Sequence, residues 1–286
     1  PISACLVGSE MCIRDRGIDG WRLDVPAEVP ADFWVEFRQM VRATNPEAWI
    51  VGEVWGDATP WLQGDHFDGV MNYRLGWSSI CWAAGEALRR DYRNSEYPLD
   101  PLDGQALLTI WTTTTGSYRE VVNRSQMNLL DSHDVPRALH SLNNDLAALK
   151  LALLLLFLHP GAPCVYYGTE AALAGGPEPG PSSGPRPACR EAYPWDVPWS
   201  ADLCSFIQSL AELRFAHGVL RREGLRWSAQ GADVLEGVAD GLRVVINRSR
   251  SNSVPLTIEQ RCSCVWTLGT VDSRAVGPQS AAVLGS

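Results

Sequence analysis

Apolar positions along this chain fall into two regimes. Up to Leu220, short apolar runs alternate with longer stretches of helical period, and beyond it the period changes to two. Strands are predicted at 17–25, 48–54, 67–73, 127–130 and 164–167. Helices are predicted at 31–42, 77–92, 145–158 and 201–216. In the first helix Phe33, Trp34, Phe37, Met40 and Val41 recur near the helical spacing, Pro30 suits the first turn, and Asn45-Pro46 stops it. The stretch 145–158 is almost uniformly apolar, so that helix is expected to be buried on several sides. Residues 106–111 suit a short helix, whose continuation the threonines 112–115 disfavour. Stretch 175–187, dense in Gly and Pro, reads as a loop, either a surface insertion or the rim of a binding cleft. Strand-helix alternation through five strands argues for a parallel α/β arrangement. The runs 225–227, 233–238, 242–246, 253–258, 264–268 and 281–284 argue for a small antiparallel domain after it.

Three of the apolar strands carry acids. In Gly17–Val25 (GIDGWRLDV), Arg22 and Asp24 sit two apart and so point to one side of a strand. An unpaired charge in a buried strand costs several kcal/mol, roughly, so the two are expected to pair. Glu53 closes the apolar run at 50–54, and His133-Asp134 closes the run that starts at Met127. Each has a plain structural alternative: an ion pair at a strand end for Arg22 and Asp24, a turn cap for Glu53, a satisfied core histidine for His133. Asp131, on the third strand, faces differently and reads as structural. Three acid-ended strands together read as catalytic.

Composition narrows the partners. The formal net charge is −9 with no basic stripe to offset it, which argues against a nucleic acid phosphate backbone. Eight Cys in 286 residues do not make a small disulfide scaffold, and Cys262-Ser-Cys264 lacks a second pair at zinc spacing. The apolar run 151–158 is too short to span a membrane, and no membrane partner is expected. Twelve Trp is a high count, expected to lie mostly in the core with a few left for stacking at the surface.

GWRLDV, GEVW and SHD, in this order, resemble the strand-four, strand-five and strand-seven motifs of the α-amylase family of glycoside hydrolases. The segments WLQGDHFDGVMNY (61–73), GAPCVYYGTE (161–170) and CREAYPWD (189–196) are most similar to the cyclomaltodextrinase, maltogenic amylase and neopullulanase group. The resemblance implies strands four to eight of a TIM (β/α)8 barrel over 17–218, then a small antiparallel β-sandwich over 219–286. Strands one to three, with the Asn-His motif of the third, have no equivalent here. Residues 1–16 do not resemble the family and are expected to be foreign to it. With five of eight strands, the chain alone is expected to show little activity.

The resemblance makes Asp24 the nucleophile, Glu53 the acid/base and Asp134 the aspartate that faces the sugar at the transition state. It makes Arg22 and His133 binding residues. Asn72, Tyr73, Arg137, Tyr167 and Arg190 are further candidates for the wall of the substrate cleft, and Trp55 either stacks on a sugar or belongs to the core. The residue chemistry agrees: a cation beside Asp24 favours its ionised form, and an apolar setting favours a protonated Glu53. The implied reaction is retaining cleavage of α-1,4-glucosidic bonds in cyclodextrins, maltodextrins or pullulan. A 4-α-glucanotransferase shares every one of these residues, and a non-catalytic carbohydrate-binding relative is disfavoured by the presence of all three acids. No cofactor or metal site is predicted; the family allows calcium in a complete enzyme, with no ligand set legible in these residues. It also allows a homodimer. Without a charged lead-in to a 7–15-residue apolar run, a cytoplasmic location is expected.

Overall fold

The computed structural model describes residues 17–92, 99–175, 188–196, 200–257 and 263–285. The segment expected to be foreign (1–16) and nearly all of the loop expected at 175–187 lie outside them. In chain order the first elements are β1 (Gly20–Leu23), α1 (Ala31–Thr44), β2 (Trp49–Gly52), β3 (Gly69–Asn72), α2 (Tyr73–Ala84) and α3 (Gly104–Gly116). Then come α4 (Glu120–Arg124), β4 (Met127–Leu129), α5 (Ala138–Ser141), α6 (Leu146–Leu158), β5 (Ala162–Cys164), α7 (Ala201–Ala216) and α8 (Val219–Arg222). The remainder is β6 (Arg226–Gln230), β7 (Val234–Ala239), β8 (Leu242–Asn247), β9 (Val254–Pro255), β10 (Ser263–Leu268), β11 (Ala275–Val276) and β12 (Ser280–Gly285). Strands β1 to β5 follow one another in sheet order, β1-β2-β3-β4-β5, as a run of barrel strands does. The chain divides into two compact units, one reaching to Asn72 and including Thr115–Met127, the other comprising Tyr73–Thr114 and Asn128–Ser286.

In the first unit β1 pairs with β2 in parallel, Gly20 opposite Trp49 through Leu23 opposite Gly52, and β2 pairs with β3 likewise. Leu23, Ile50 and Val70 from the strands meet Trp34, Phe37 and Val41 from α1 in one core. Asp68 ties that helix to the sheet: Arg38 and Arg42 bond its Oδ1 at 2.9 and 2.7 Å, while its Oδ2 accepts from the Ile50 N–H at 2.8 Å. One carboxylate thus fixes the register of α1 beside β2.

In the second unit α6 is buried almost all round, in a core shared with α2, α3 and α7, so its lack of a polar face is no liability. Asp145 caps it, accepting from Ala147 N–H at 2.9 Å and Ala148 N–H at 3.1 Å. The other oxygen of Asp145 takes Arg250 at 2.6 Å and Gln279 at 3.1 Å, so the cap also fastens the C-terminal sheet. Asp145→Ala is expected to lower the stability of this chain by about 1–2 kcal/mol; a urea midpoint unchanged from wild type would count against the cap.

Strands β6, β7, β8, β10 and β12 form an antiparallel sheet in the order β10-β12-β8-β7-β6, and β9 pairs with β11. The period of two is visible in the packing. Leu235, Val244, Ile246, Ala281 and Val283 enter the helical core, whereas Val234, Val245, Ala282 and Leu284 face Leu256 and Val276 beside the β9-β11 pair. Arg248 locks the sheet to the helices, bonding Asp233 at 2.9 Å and the carbonyls of Trp82 and Leu102.

Three expectations shift. Helix α2 starts at Tyr73, four residues early, and ends at Ala84, because Gly85 turns the chain at φ +54. Helix α3 runs through the threonines to Gly116. Thr109 and Thr114 return their hydroxyls to the carbonyls four residues back, and buried Leu107 and Trp111 outweigh the few tenths of a kcal/mol, roughly, that each threonine costs. Strand β5 lies at Ala162–Cys164, so Tyr166 and Tyr167 belong to the turn beyond it.

Candidate active site

The first cluster lies in the first unit, where β1 and β2 end. Arg22 Nη1 meets Asp24 Oδ1 at 2.6 Å and Arg22 Nη2 meets Glu53 Oε1 at 2.6 Å. One guanidinium therefore holds both carboxylates, each on its own terminal nitrogen. Its Nε donates to the Met71 sulfur at 3.4 Å, which sets the plane of the fork. The two acids differ in setting: the Asp24 side chain is 70% exposed and that of Glu53 3%. The turn that presents Asp24 is sharp. Val25, next in sequence, adopts φ 36 and ψ 50, a left-handed conformation that β-branched residues avoid. Pro26 follows, and its carbonyl accepts from the buried Trp34 indole at 2.9 Å. Trp55 and Asn72 are partly buried.

The second cluster lies in the second unit, where β4 runs on into Asp131-Ser132-His133-Asp134. Asp131 is buried, and its Oδ2 accepts from the Ala138 N–H at 2.8 Å at the start of α5. Ser132 Oγ accepts from the Asp134 N–H at 3.2 Å and pairs with the Tyr73 hydroxyl at 3.0 Å. His133 Nε2 lies 3.0 Å from Asp134 Oδ2, and Arg190 Nη2 lies 2.6 Å from Asp134 Oδ1. Arg190 Nε also donates to the His133 carbonyl at 2.8 Å, and the Cys189 thiol to the same oxygen at 3.3 Å. Burial pushes the Cys189 thiol up, so it stays a neutral donor.

Of the predicted residues, the structure thus groups Arg22, Asp24 and Glu53, and separately His133, Asp134 and Arg190. Arg137 differs from expectation. Expected against substrate, it is wholly buried, its guanidinium 4.5 and 4.6 Å from the rings of Tyr166 and Tyr167 and bonded to the Tyr167 carbonyl. A neutral arginine is unattainable in proteins, so tyrosine faces and carbonyls cover its charge, leaving it no route to solvent. Sequence reasoning passed over Met71, Ser132 and Cys189. Ser132, two residues before an acid, carried a readable turn signal; the other two have none in one sequence.

Two buried groups set opposing pH dependences. Burial pushes Asp131 up to about 6. Burial pushes His159 down to about 4, the nearby Arg214 adding to it; this histidine donates to the Leu155 carbonyl at 2.9 Å and packs between Trp111 and Trp227. Between pH 4 and 6 folded Asp131 keeps a proton that the unfolded chain releases, so its contribution falls as pH rises. Between pH 6.5 and 4 the unfolded chain protonates His159 and the folded chain does not, so that contribution falls as pH drops. The two contributions run in opposite directions with pH and so offset one another. Asp131→Asn, which keeps an acceptor for Ala138, is expected to expose the histidine alone: its urea midpoint should fall from pH 6.5 to 4 far more steeply than wild type. Parallel pH profiles would refute the pairing.

A parallel sheet whose strand ends carry a shared Arg-Asp-Glu group and a His-Asp group is the layout of an α/β enzyme of the barrel class. The family model described as "Alpha amylase, catalytic domain" matches residues 9–196, and the chain belongs to the α-amylase family. It is 36% identical over 253 residues to a cyclomaltodextrinase of Bacillus sp, covering 86% of this chain and 41% of that protein. It is 37% identical over 260 residues to neopullulanase 2 of Thermoactinomyces vulgaris, covering 88% and 41%. Among solved structures, the native debranching enzyme of Nostoc punctiforme superposes with a TM-score of 0.82 at 30% identity, covering 100% of this chain and 61% of that one. The chain therefore spans about two fifths of the length of these curated relatives. Among the described residues no helix is long and apolar enough to cross a membrane.

Proposed function

We propose that this chain carries the reacting carboxylates of a retaining glycosidase that cleaves α-1,4-glucosidic bonds in cyclodextrins, maltodextrins or pullulan. The observation that carries the reading is the single guanidinium that holds Asp24 and Glu53 at 2.6 Å each, one acid exposed and one buried. Retention needs two carboxyl groups about 5–5.5 Å apart, and partners of one planar fork are close enough for that. Asp24, ionised beside Arg22, attacks the anomeric carbon as the C1–O bond breaks, and the leaving oxygen takes a proton from Glu53. Glu53 then accepts a proton from water as that water attacks C1 and releases Asp24. At Glu53 burial, which favours the proton, opposes the Arg22 contact, which disfavours it. Asp134, held between His133 and Arg190, accepts hydrogen bonds from sugar hydroxyls as positive charge builds on the ring. Arg137 acts through the loop it braces, as a positioning residue.

The names of the relatives, cyclomaltodextrinase and neopullulanase among them, support the substrate class. The test follows the first product by NMR before mutarotation. With β-cyclodextrin and the complete enzyme, the α-anomer is expected first; a β-anomer would overturn the double displacement. Adding excess maltose separates hydrolysis from transfer, since a glucanotransferase lengthens the acceptor.

A further inference from the structure

Trp195 is 77% exposed, the one tryptophan among the described residues with most of its ring in solvent. Phe215 is equally exposed, so exposure alone marks no site; what sets Trp195 apart is where its segment is held. The segment that carries it is fastened at several points. Cys189 and Arg190 bond the His133 carbonyl, Arg190 bonds Asp134, the Tyr166 hydroxyl donates to the Cys189 carbonyl at 3.3 Å, and the Tyr167 hydroxyl donates to the Glu191 carbonyl at 2.7 Å. The ring of Tyr193 lies 4.5 Å from that of Trp195 at 49°. The Trp195 N–H closes back on the Tyr193 carbonyl at 3.0 Å. The indole is thus held by a strap whose other end grips the aspartate proposed to face the reacting sugar.

We propose that Trp195 is a stacking platform for a glucose ring of the substrate chain, outside the pair of rings that is cleaved. The proposal rests on the reading of the site as one for α-glucans. A pyranose presents an apolar C–H face and a rim of hydroxyls, so it covers an indole while its hydroxyls keep water, which is the match an amphipathic ring on a wet surface offers. Five residues separate Trp195 from Arg190, a span of at most about 17 Å, so the platform lies within reach of a bound oligosaccharide. A ring set beforehand by Tyr193 loses little freedom on binding, and its contribution appears as affinity for longer chains.

The test uses the chain labelled with 5-fluorotryptophan in a Glu53→Gln background, which keeps the sugar intact. The ¹⁹F signal of Trp195 is identified by its loss in Trp195→Phe. Maltoheptaose is expected to shift that signal saturably. Trp195→Ala should raise the maltoheptaose Kd about tenfold with the melting profile unchanged, and Trp195→Phe should recover part of the loss. If maltoheptaose binds while the signal stays still and Trp195→Ala binds as tightly, the platform falls and the proposed function stands. If neither maltoheptaose nor β-cyclodextrin binds, both fall. A signal that moves with protein concentration and not with sugar means that a second copy covers the ring, which also overturns the proposal.

Discussion

In the complete enzyme that carries this chain, Glu53→Gln is expected to slow cleavage of maltodextrin about 10³-fold while slowing first-step cleavage of maltosyl fluoride less than about tenfold. The reason lies in where each acid acts. In the proposed roles Glu53 serves the leaving oxygen, and fluoride leaves with little protonation. Asp24→Asn should abolish both reactions, because an amide cannot attack the anomeric carbon usefully. Asp134→Asn should slow both in similar proportion, since what it removes serves the ring. The ratio of natural-substrate loss to fluoride loss is therefore the quantity to measure: large at Glu53, near unity at the two aspartates. A large ratio at Asp24 or Asp134 would reassign the roles, and full activity in all three variants would end the enzyme reading.

The largest effect on folding is expected at Gly76. A Cβ built there would lie 2.0 Å from the Leu129 carbonyl oxygen, so α2 packs on β4 with backbone against backbone. A carbonyl in a sheet cannot swing aside as a flexible side chain can, so the helix must move out and open the core around Ile80 and Leu130. Gly76→Ala is expected to cost roughly 3–5 kcal/mol, at the high end for a single methyl group. Gly116 ends α3 with nothing within 4 Å of its would-be Cβ. Gly116→Ala should be neutral or stabilise by up to about 1 kcal/mol, the helix propensity difference. Equal urea midpoints for the two variants would show that α2 does not ride so close.

The two glycines also show what one sequence can convey. Gly76 falls between the strand expected at 67–73 and the helix expected at 77–92, and nothing local shows that a carbonyl of β4 requires it. Period was the dependable signal: α7 and the order of the short C-terminal strands follow it closely. It failed where tertiary packing outweighed local preference, at the threonines of α3 and at the start of α2. At the site, Arg22 and Asp24 were legible because two residues of spacing place them on one side of a strand. That the same guanidinium also holds Glu53 was not, since the pairing joins different strands and depends on the sheet register. That two tyrosine rings cover Arg137 was not legible either, since Tyr166 and Tyr167 lie about thirty residues away in the chain.

Strand β12 lies between β8 and β10, and its residues 280–285 are buried. An inner strand of this sheet is therefore the last of its five described strands to be made. Until those residues leave the ribosome, β8 presents an open edge whose inner face, Val244 and Ile246, belongs to the same core as α6. A nascent chain can assemble its earlier elements in order, but α6 stays partly uncovered until synthesis has passed residue 285. Translation pauses just upstream of β12 should then prolong the state most open to wrong pairing, making the timing of the β12 codons a determinant of yield.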